Sequence, residues 1–248
     1  MGQALYRKYR SKKLSEIVGQ EHITTTLDNA LKQGAISHAY LFTGPRGVGK
    51  TSIARILAHE VNDLPYDEEA NHLDIIEIDA ASNRRIDEIR ELRDRIHSAP
   101  TSAKYKVYII DEVHMLSKAA FNALLKTLEE PPEHAMFILA TTDIEKVPAT
   151  ISSRTQRFDF KRINSQQMTT ALEAVAKDQK LKLPEGVIEA VVAQSEGSMR
   201  DALTRLDMVA SLGQKISLAD AENLLGVTPR INIQELVGHI IAHQTPAL

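Results

Sequence analysis

The residues best suited to chemistry lie in one short glycine-rich segment. Residues 44–51 read GPRGVGKT and match the pattern G-x-x-x-x-G-K-[S/T] at every required position. Glycines let such a loop wrap an anion with backbone N–H groups, and the following helix N-terminus adds positive potential. Lys50 would reach the terminal phosphates of a nucleotide, and the Thr51 hydroxyl would hold Mg²⁺. The alternative, a glycine-rich turn between a strand and a helix, explains the full match less well. The expected phosphate-loop residues are Gly44, Gly47, Val48, Gly49, Lys50, Thr51 and Ser52.

A second group of reactive side chains closes a predicted buried strand. Residues 107–112 read VYIIDE, an apolar run that ends in two carboxylates. Asp111, at the strand end, fits the role of a second protein anchor for Mg²⁺. Glu112 follows it and could orient and polarise a water for attack on the terminal phosphate. An ordinary acidic turn would have the same composition, and it is the phosphate loop that favours the catalytic interpretation. The two segments together predict a magnesium-dependent nucleotide hydrolase.

Short apolar runs indicate the strands that must position these residues. Each run is unbroken, as is typical of strands that are buried on both faces of a parallel sheet. Helical patterns alternate with the runs, which predicts a doubly wound α/β domain with a parallel five-stranded sheet. The predicted strands are residues 39–43 (AYLFT), 73–78 (LDIIEI), 107–111 (VYIID), 136–141 (MFILAT) and 156–160.

The helical patterns change character after about Ile163. Before that point they are amphipathic stretches between strands, and beyond it the strands stop. Residues 1–163 are therefore predicted to form the α/β domain, residues 164–227 a small all-helical domain, and residues 228–248 the start of a further helical domain. Before Ile163, helices are predicted from Ile23 to Gly34, over residues 52–61, over residues 86–96, and from the N-cap Ser117 to Pro131. After it they cover residues 168–175, a helix opened by Pro184, residues 199–209 and a helix from Ser217 to Gly226.

Composition excludes several classes of protein. The chain has 248 residues with 30 Lys and Arg against 33 Asp and Glu, a net charge of -3. Binding to nucleic acid through bulk positive charge is therefore excluded, although a local basic patch is compatible with this balance. Cysteine is absent, which excludes disulfides, thiol catalysis and cysteine-rich zinc sites and suits a reducing, cytoplasmic setting. The lack of a long apolar run or an apolar leader predicts no membrane partner.

Five motifs in a fixed order carry a resemblance to a known family. GPRGVGKT, DEVHML, LLKTLEEPP, LATTDIEKVP and SSR resemble the AAA+ ATPases of DNA clamp loaders, in particular the gamma/tau subunits of bacterial DNA polymerase III. The resemblance extends from Tyr6 to about Gly226. It implies an AAA+ P-loop fold with a helical lid domain, and ATP with Mg²⁺ as cofactors. It also implies partners: the other clamp-loader subunits in a hetero-pentamer when the protein is full length, the sliding clamp and primer–template DNA.

The resemblance also implies roles for residues outside the two motifs above. An N-terminal segment resembles the one that packs on adenine, with contacts at Tyr6, Arg7, Arg10, Ile17 and Val18; a solvated basic arm is the alternative. Thr141 and Thr142 resemble the sensor of the γ-phosphate. Arg154, in Ser152-Ser153-Arg154, resembles the arginine finger that acts in trans on the ATP of a neighbouring subunit, whereas an idle surface arginine is the alternative.

Met199 and Arg200 resemble the second sensor, in the helical domain. Arg200 would lie in the first turn of a helix, where the helix dipole disfavours a cation. An anion nearby would explain that position, although Asp201 could also neutralise the charge.

Two departures from the family pattern give further expectations. The family usually carries a four-cysteine zinc module, whereas residues 59–72 (HEVNDLPYDEEANH) are short, acidic and free of cysteine. His59, His72, Asp67 and Glu68 could be imagined as ligands, but an exposed acidic loop is the better interpretation, and no zinc is expected. The collar domain that assembles the pentamer is represented only by its opening, residues 228–248. This chain is therefore expected to be monomeric and a weak ATPase.

The basic residues and the overall function each allow more than one interpretation. A predicted helix is surrounded by Arg84, Arg85, Arg90, Arg93 and Arg95, which are interleaved with Asp87, Glu88, Glu91 and Asp94. A solvated, salt-bridged helix is therefore favoured over a DNA-binding face. The alternatives to a clamp-loader motor are another AAA+ DNA motor, such as a branch-migration helicase, and a scaffold subunit that no longer hydrolyses ATP. The intact Lys50, Thr51, Asp111 and Glu112 argue against the scaffold.

Overall fold

A five-stranded parallel sheet forms the centre of the α/β part of the chain, as predicted. The computed structural model describes residues 3–66, 72–82, 96, 98–213 and 216–226. The strands lie in the order β2-β3-β4-β1-β5, and each neighbouring pair is parallel. The strands are β1 (Ala39–Thr43), β2 (Ile75–Asp79), β3 (Lys106–Asp111), β4 (Ala135–Thr141) and β5 (Gln156–Asp159).

Seven of the helices in the described residues follow predicted stripes, whereas the two shortest were not predicted. In the part of the chain that the structure describes, no helix is long and apolar enough to cross a bilayer. The helices are α1 (Leu5–Lys8), α2 (Glu21–Gln33), α3 (Lys50–Glu60), α4 (Lys118–Glu129), α5 (Ala149–Ser152), α6 (Ser165–Asp178), α7 (Val187–Ser195), α8 (Met199–Ala210) and α9 (Leu218–Leu225). Short 3-10 turns occupy Leu14–Glu16, Val113–Met115 and Ile144–Lys146.

The three central strands are apolar because both of their faces are covered. Alternate residues of a strand point to opposite faces, so a strand between two helical layers needs apolar residues throughout. Tyr40 and Phe42 of β1 belong to a core cluster with α2 and α3, whereas Ala39 and Leu41 belong to a second cluster with α4 and α5. The sheet is thus held between two hydrophobic layers, which keeps the carboxyl ends of its strands in a fixed register.

The chain divides into two compact units. Arg10–Ile163 forms the α/β unit, and residues 3–9 group with the helical residues from Asn164 onward. Within the helical unit, the Leu5 N–H donates to the Asp207 carboxylate at 3.3 Å and the Tyr9 hydroxyl donates to the Asp178 carboxylate. The sequence predicts a boundary near residue 163 and places the first nine residues with the α/β domain, and these domain bounds stay a prediction. Among the described residues, helix α1 with its buried Leu5 contacts α8.

Strand β2 begins two residues later than predicted. The run LDIIEI suggested Leu73 as the first strand residue, whereas β2 starts at Ile75 and Leu73 is 76% exposed. The intervening Asp74 is buried, and its carboxylate accepts N–H groups from Thr101, Ser102 and Ala103 at 2.8–3.0 Å. Burial would raise the pKa of Asp74, but these three donors hold it below its usual value. Asp74, which the apolar run assigned to the strand, instead holds the loop at residues 101–103 in place.

Helix α7 also begins later than predicted, at Val187 rather than at Pro184. Gly186 precedes it with φ 91°, a left-handed conformation that cannot continue a helix. The predicted helix over residues 86–96 and the segment 228–248 lie outside the described residues, apart from the buried Ile96.

Candidate active site

Three loops meet where the central strands end. Carboxyl ends of parallel strands lie along one edge of a sheet, and ligands bind in the crevice outside that edge. β1 ends at Thr43, which pairs in register with Thr141 at the end of β4, and β3 ends next to them at Asp111. The Gly44 N–H donates to the Thr141 carbonyl at 3.3 Å, which joins the first loop residue to β4. The fold therefore brings the residues after β1, β3 and β4 into one site.

The phosphate loop depends on glycine at defined positions. Gly44 has φ 141°, and a Cβ added there would lie 2.4 Å from the carbonyl oxygen of Phe160. Gly47 and Gly49 have φ 75° and φ 105°, in the left-handed region that side chains disfavour. Gly49 is the N-cap of α3, whose first turn carries N–H groups that helix geometry leaves for an external acceptor. This backbone has the geometry to cradle an anion.

Lys50 is held inside the loop that it belongs to. Its side-chain Nζ donates to the carbonyl oxygens of Gly44 and Pro45, each at 2.7 Å, and the residue is only 6% exposed. Burial lowers the pKa of Lys50, while the nearby carboxylates of Glu112 and Asp111 act in the opposite direction. A phosphate oxygen offers a buried ammonium a stronger acceptor than a neutral carbonyl does. The loop thus holds its lysine where an anion would bind.

Thr51 and Asp111 form the pair that the sequence assigned to magnesium. The Thr51 hydroxyl donates to Asp111 Oδ2 at 2.6 Å, although the two residues are 60 positions apart. Asp111 Oδ1 accepts the Glu112 N–H at 2.9 Å, which fixes the carboxylate. A hydroxyl and a carboxylate oxygen are ligands that Mg²⁺ prefers, and this ion commonly takes few protein ligands beside water and phosphate oxygens. The donor set fits a magnesium nucleotide.

Glu112 lies beside this pair in an unusual backbone conformation. Its φ of 48° and ψ of 44° are left-handed, which is uncommon for a residue other than glycine and occurs preferentially at functional sites. Its Oε2 accepts the Thr142 hydroxyl at 2.9 Å and the Thr142 N–H at 3.3 Å. His114 Nδ1 lies 3.4 Å from the same oxygen and 3.0 Å from the Thr141 hydroxyl. The two threonines predicted to sense the γ-phosphate are thus connected to Glu112, a contact that sequence reasoning missed.

Arg154 is partnered within its own chain. Its Nη2 lies 2.7 Å from Glu129 Oε1 at the end of α4, and its Nη1 donates to the Thr150 carbonyl of α5 at 2.7 Å. Its side chain is 34% exposed. The arginine is therefore both held by two helices and accessible at the surface.

The remaining predicted contacts are divided between the two units. In the α/β unit, Ile17 is buried 3.7 Å from the position that a Cβ on Gly49 would take, and Val18 and Arg10 are half-buried. Tyr6, Arg7, Met199 and Arg200 belong to the helical unit. There the guanidinium carbons of Arg200 and Arg7 lie 5.4 Å and 5.8 Å from the centre of the Tyr6 ring. Residues from the two ends of the described chain thus form one cation–π group.

Gln20 has a role that the sequence did not indicate. It lies in the segment resembling the adenine-packing one, yet its side chain is fully buried. Its Nε2 donates to the Lys161 carbonyl at 2.7 Å and its Oε1 accepts the Lys161 N–H at 3.1 Å. It therefore fixes the start of α2 to the residues that follow β5.

The histidines considered for zinc have local partners. His59 Nδ1 lies 3.1 Å from the Pro65 carbonyl, and His72 Nδ1 accepts the Asp74 N–H at 3.2 Å. Asp67 and Glu68 lie outside the described residues, as do the arginines of the interleaved basic segment. Among described residues no cluster of three His, Asp or Glu side chains is arranged for a metal.

Comparison with known proteins identifies the family. Residues 19–164 match the family model of the DNA polymerase III, delta subunit. The tau subunit of DNA polymerase III from Bacillus subtilis is 51% identical over 94% of this chain and 44% of its own length. The Escherichia coli tau subunit is 43% identical over 90% of this chain and 37% of its own length. The gamma subunit from Buchnera aphidicola is 40% identical over 92% of this chain and 67% of its own length. The chain thus spans less than half the length of the two tau subunits.

A solved structure bears on the fold. The Thermotoga maritima RuvB Holliday junction branch migration motor superposes with a TM-score of 0.67 at 22% identity, covering 88% of this chain and 72% of the motor. A likeness at that identity shows the fold alone. The chain therefore has the AAA+ P-loop fold and belongs to the gamma/tau subunit family of bacterial DNA polymerase III.

Proposed function

We propose that this chain is the ATP-hydrolysing motor of a DNA polymerase III clamp-loader subunit. ATP binding would prepare the complex to open a sliding clamp and grip primer–template DNA, and hydrolysis would release the clamp on the DNA. The observation that carries the proposal is the 2.6 Å hydrogen bond between Thr51 and Asp111, with Lys50 and Glu112 beside it at one edge of the sheet.

The residues of this edge would divide the chemistry among them. Lys50 would exchange its two carbonyl acceptors for oxygens of the β- and γ-phosphates. Thr51 and Asp111 would hold Mg²⁺, which when bound draws negative charge from the phosphate oxygens. Glu112 would orient the attacking water and accept its proton. Gly44, Gly47, Val48, Gly49 and Ser52 would complete the cradle, and Thr141 and Thr142 would respond to the γ-phosphate.

Further assignments rest on the resemblance alone. We assign Tyr6, Arg7, Arg10, Ile17 and Val18 to the adenine, and Met199 and Arg200 to the γ-phosphate. In chain order, the proposed domains are residues 1–163, 164–227 and 228–248, with Leu5 and Tyr9 hydrogen-bonded to helices of the second.

The whole-protein activity requires partners that this chain would meet in a longer subunit. We propose a cytoplasmic hetero-pentamer in which Arg154 reaches the ATP of the adjacent subunit. The sliding clamp and primed DNA would be the other partners. Zinc is not expected in this chain, since residues 59–72 contain no cysteine.

The test is ATP turnover by the full-length subunit in its complex, with and without the cognate clamp and primed DNA. Stimulation by both partners is expected of a clamp loader and of neither alternative. Nucleotide binding is measured as the rise in Tm when magnesium nucleotide is added. Lys50→Ala should abolish nucleotide binding and therefore that rise. Glu112→Gln should keep that rise and lose turnover, because a group that acts mainly in the chemical step contributes little to ground-state affinity.

Two results would contradict these assignments. Equal loss of nucleotide binding in Glu112→Gln and Lys50→Ala would show that Glu112 is a binding residue. A rate of ATP turnover that is the same with and without the clamp and primed DNA would favour another AAA+ motor.

A further inference from the structure

The guanidinium of Arg154 is fixed by three acceptors on its own chain. Nη2 lies 2.7 Å from Glu129 Oε1, and Nη1 donates to the Thr150 carbonyl at 2.7 Å and to the Ser153 hydroxyl at 3.3 Å. Three of the five N–H groups thus have acceptors among the described residues, which leaves two for an anion. The acceptors come from the end of α4, from α5 and from the residue beside Arg154. Contacts within this chain therefore orient the arginine without a partner subunit.

Helix stability does not explain the position of Glu129. It is the last residue of α4, where the helix dipole disfavours a negative charge. The pair is also partly exposed, at 34% for the Arg154 side chain and 48% for the Glu129 side chain. Exposed ion pairs contribute little to stability. The ion pair thus adds little to stability, and Glu129 lies where the helix dipole disfavours it. The main effect of the contact is to orient the arginine.

We propose that Glu129 is the positioning residue of Arg154: it holds the guanidinium in the orientation from which it stabilises the triphosphate of an adjacent subunit. This inference rests on the proposed function, in which Arg154 acts in trans. A free arginine side chain loses considerable rotamer entropy when it is ordered. Stabilisation of a developing charge is most effective when the donor is already in place. Glu129 and the Thr150 carbonyl meet that condition from two different helices.

The experiment measures steady-state ATP hydrolysis by the assembled full-length complex with clamp and primed DNA. Glu129→Gln should lower kcat about ten-fold and leave KM unchanged, because misplacing a catalytic group affects the chemical step. Glu130→Gln is the matched control: the neighbouring carboxylate is also exposed, and its removal should leave kcat near the unmodified value. Glu129→Asp keeps a carboxylate and should recover part of the loss.

The decisive comparison repeats Glu129→Gln in an Arg154→Ala background. A residue that acts only through Arg154 should add no further loss there. If Glu129→Gln lowers kcat by the same factor in both backgrounds, Glu129 has a general structural role. If Glu129→Gln leaves kcat unchanged while Arg154→Ala lowers it, Arg154 needs no positioning. Either result overturns the inference while leaving the arginine finger in place. Full activity in Arg154→Ala would instead overturn the finger assignment of the proposed function, and the inference with it.

Discussion

Thr142 illustrates how much of the active site depends on single side chains outside the phosphate loop and the Asp111-Glu112 pair. Its hydroxyl and N–H both donate to Glu112 Oε2, so two hydrogen bonds orient one carboxylate oxygen. Glu112 has a left-handed backbone conformation, which surrounding contacts must maintain. The orientation of the proposed base is thus set from the end of the neighbouring strand β4.

Replacing that hydroxyl tests this role. Thr142→Val keeps the shape of the side chain and removes its donor, so kcat for ATP should fall about ten-fold through loss of orientation of the base. The nucleotide Kd should change less than about two-fold, since a general base contributes little to ground-state binding. Thr25→Val, an exposed threonine on α2, is the matched control and should leave both constants unchanged. An unaltered kcat in Thr142→Val would show that Glu112 is oriented by other groups.

Residues of the site were predictable where a local pattern carried them. Thr51 and Asp111 were assigned together because each ends or follows a recognisable strand, and the structure joins them. The contacts of Glu129 with Arg154 and of Gln20 with Lys161 have no such pattern. They depend on tertiary packing between residues 25 and 141 positions apart, which a single sequence does not encode as a periodicity.

At the scale of elements, burial on both faces explains why the strands could be predicted. β1, β3 and β4 lie between two hydrophobic layers and read as continuous apolar runs. The misplaced boundaries fall where a polar or backbone requirement overrides that pattern. Asp74 anchors a loop just before β2, and the left-handed Gly186 delays α7.

The turn from β1 into the phosphate loop gives a prediction at this scale. Gly44→Ala should destabilise the α/β unit by about 3 kcal/mol or more, because the new methyl group would overlap the Phe160 backbone, which cannot move aside cheaply. Gly34→Ala is the matched control: Gly34 also has positive φ, but nothing lies within 4 Å of an added Cβ. It should cost only about 1 kcal/mol, the left-handed penalty alone. Urea unfolding of both variants measures the difference, and equal losses would show that the loop relaxes around the methyl group.

At the scale of the whole molecule, the proposed active site is shared between chains. The Arg154→Ala complex should keep nucleotide binding and lose about 10³-fold or more in hydrolysis, as other arginine fingers do. Complexes that mix Glu112→Gln subunits with Arg154→Ala subunits contain some interfaces with both groups intact. These mixtures should recover part of the activity that neither variant has alone. A verified mixed assembly without recovery would assign Arg154 to a role within its own chain.

The helical unit is discontinuous in sequence, and this sets the order in which the chain can fold during synthesis. Helix α1 leaves the ribosome before the α/β unit, but its partners Asp178 and Asp207 follow only after that unit is complete. At about 5–20 residues per second, the 169 positions between Tyr9 and Asp178 correspond to a delay of roughly 8–34 s. The α/β unit can fold within that time, whereas α1 is too short to be stable by itself. Codon choices or mutations that slow translation between residues 10 and 163 should therefore prolong the exposure of Leu5 to chaperones without affecting the phosphate loop.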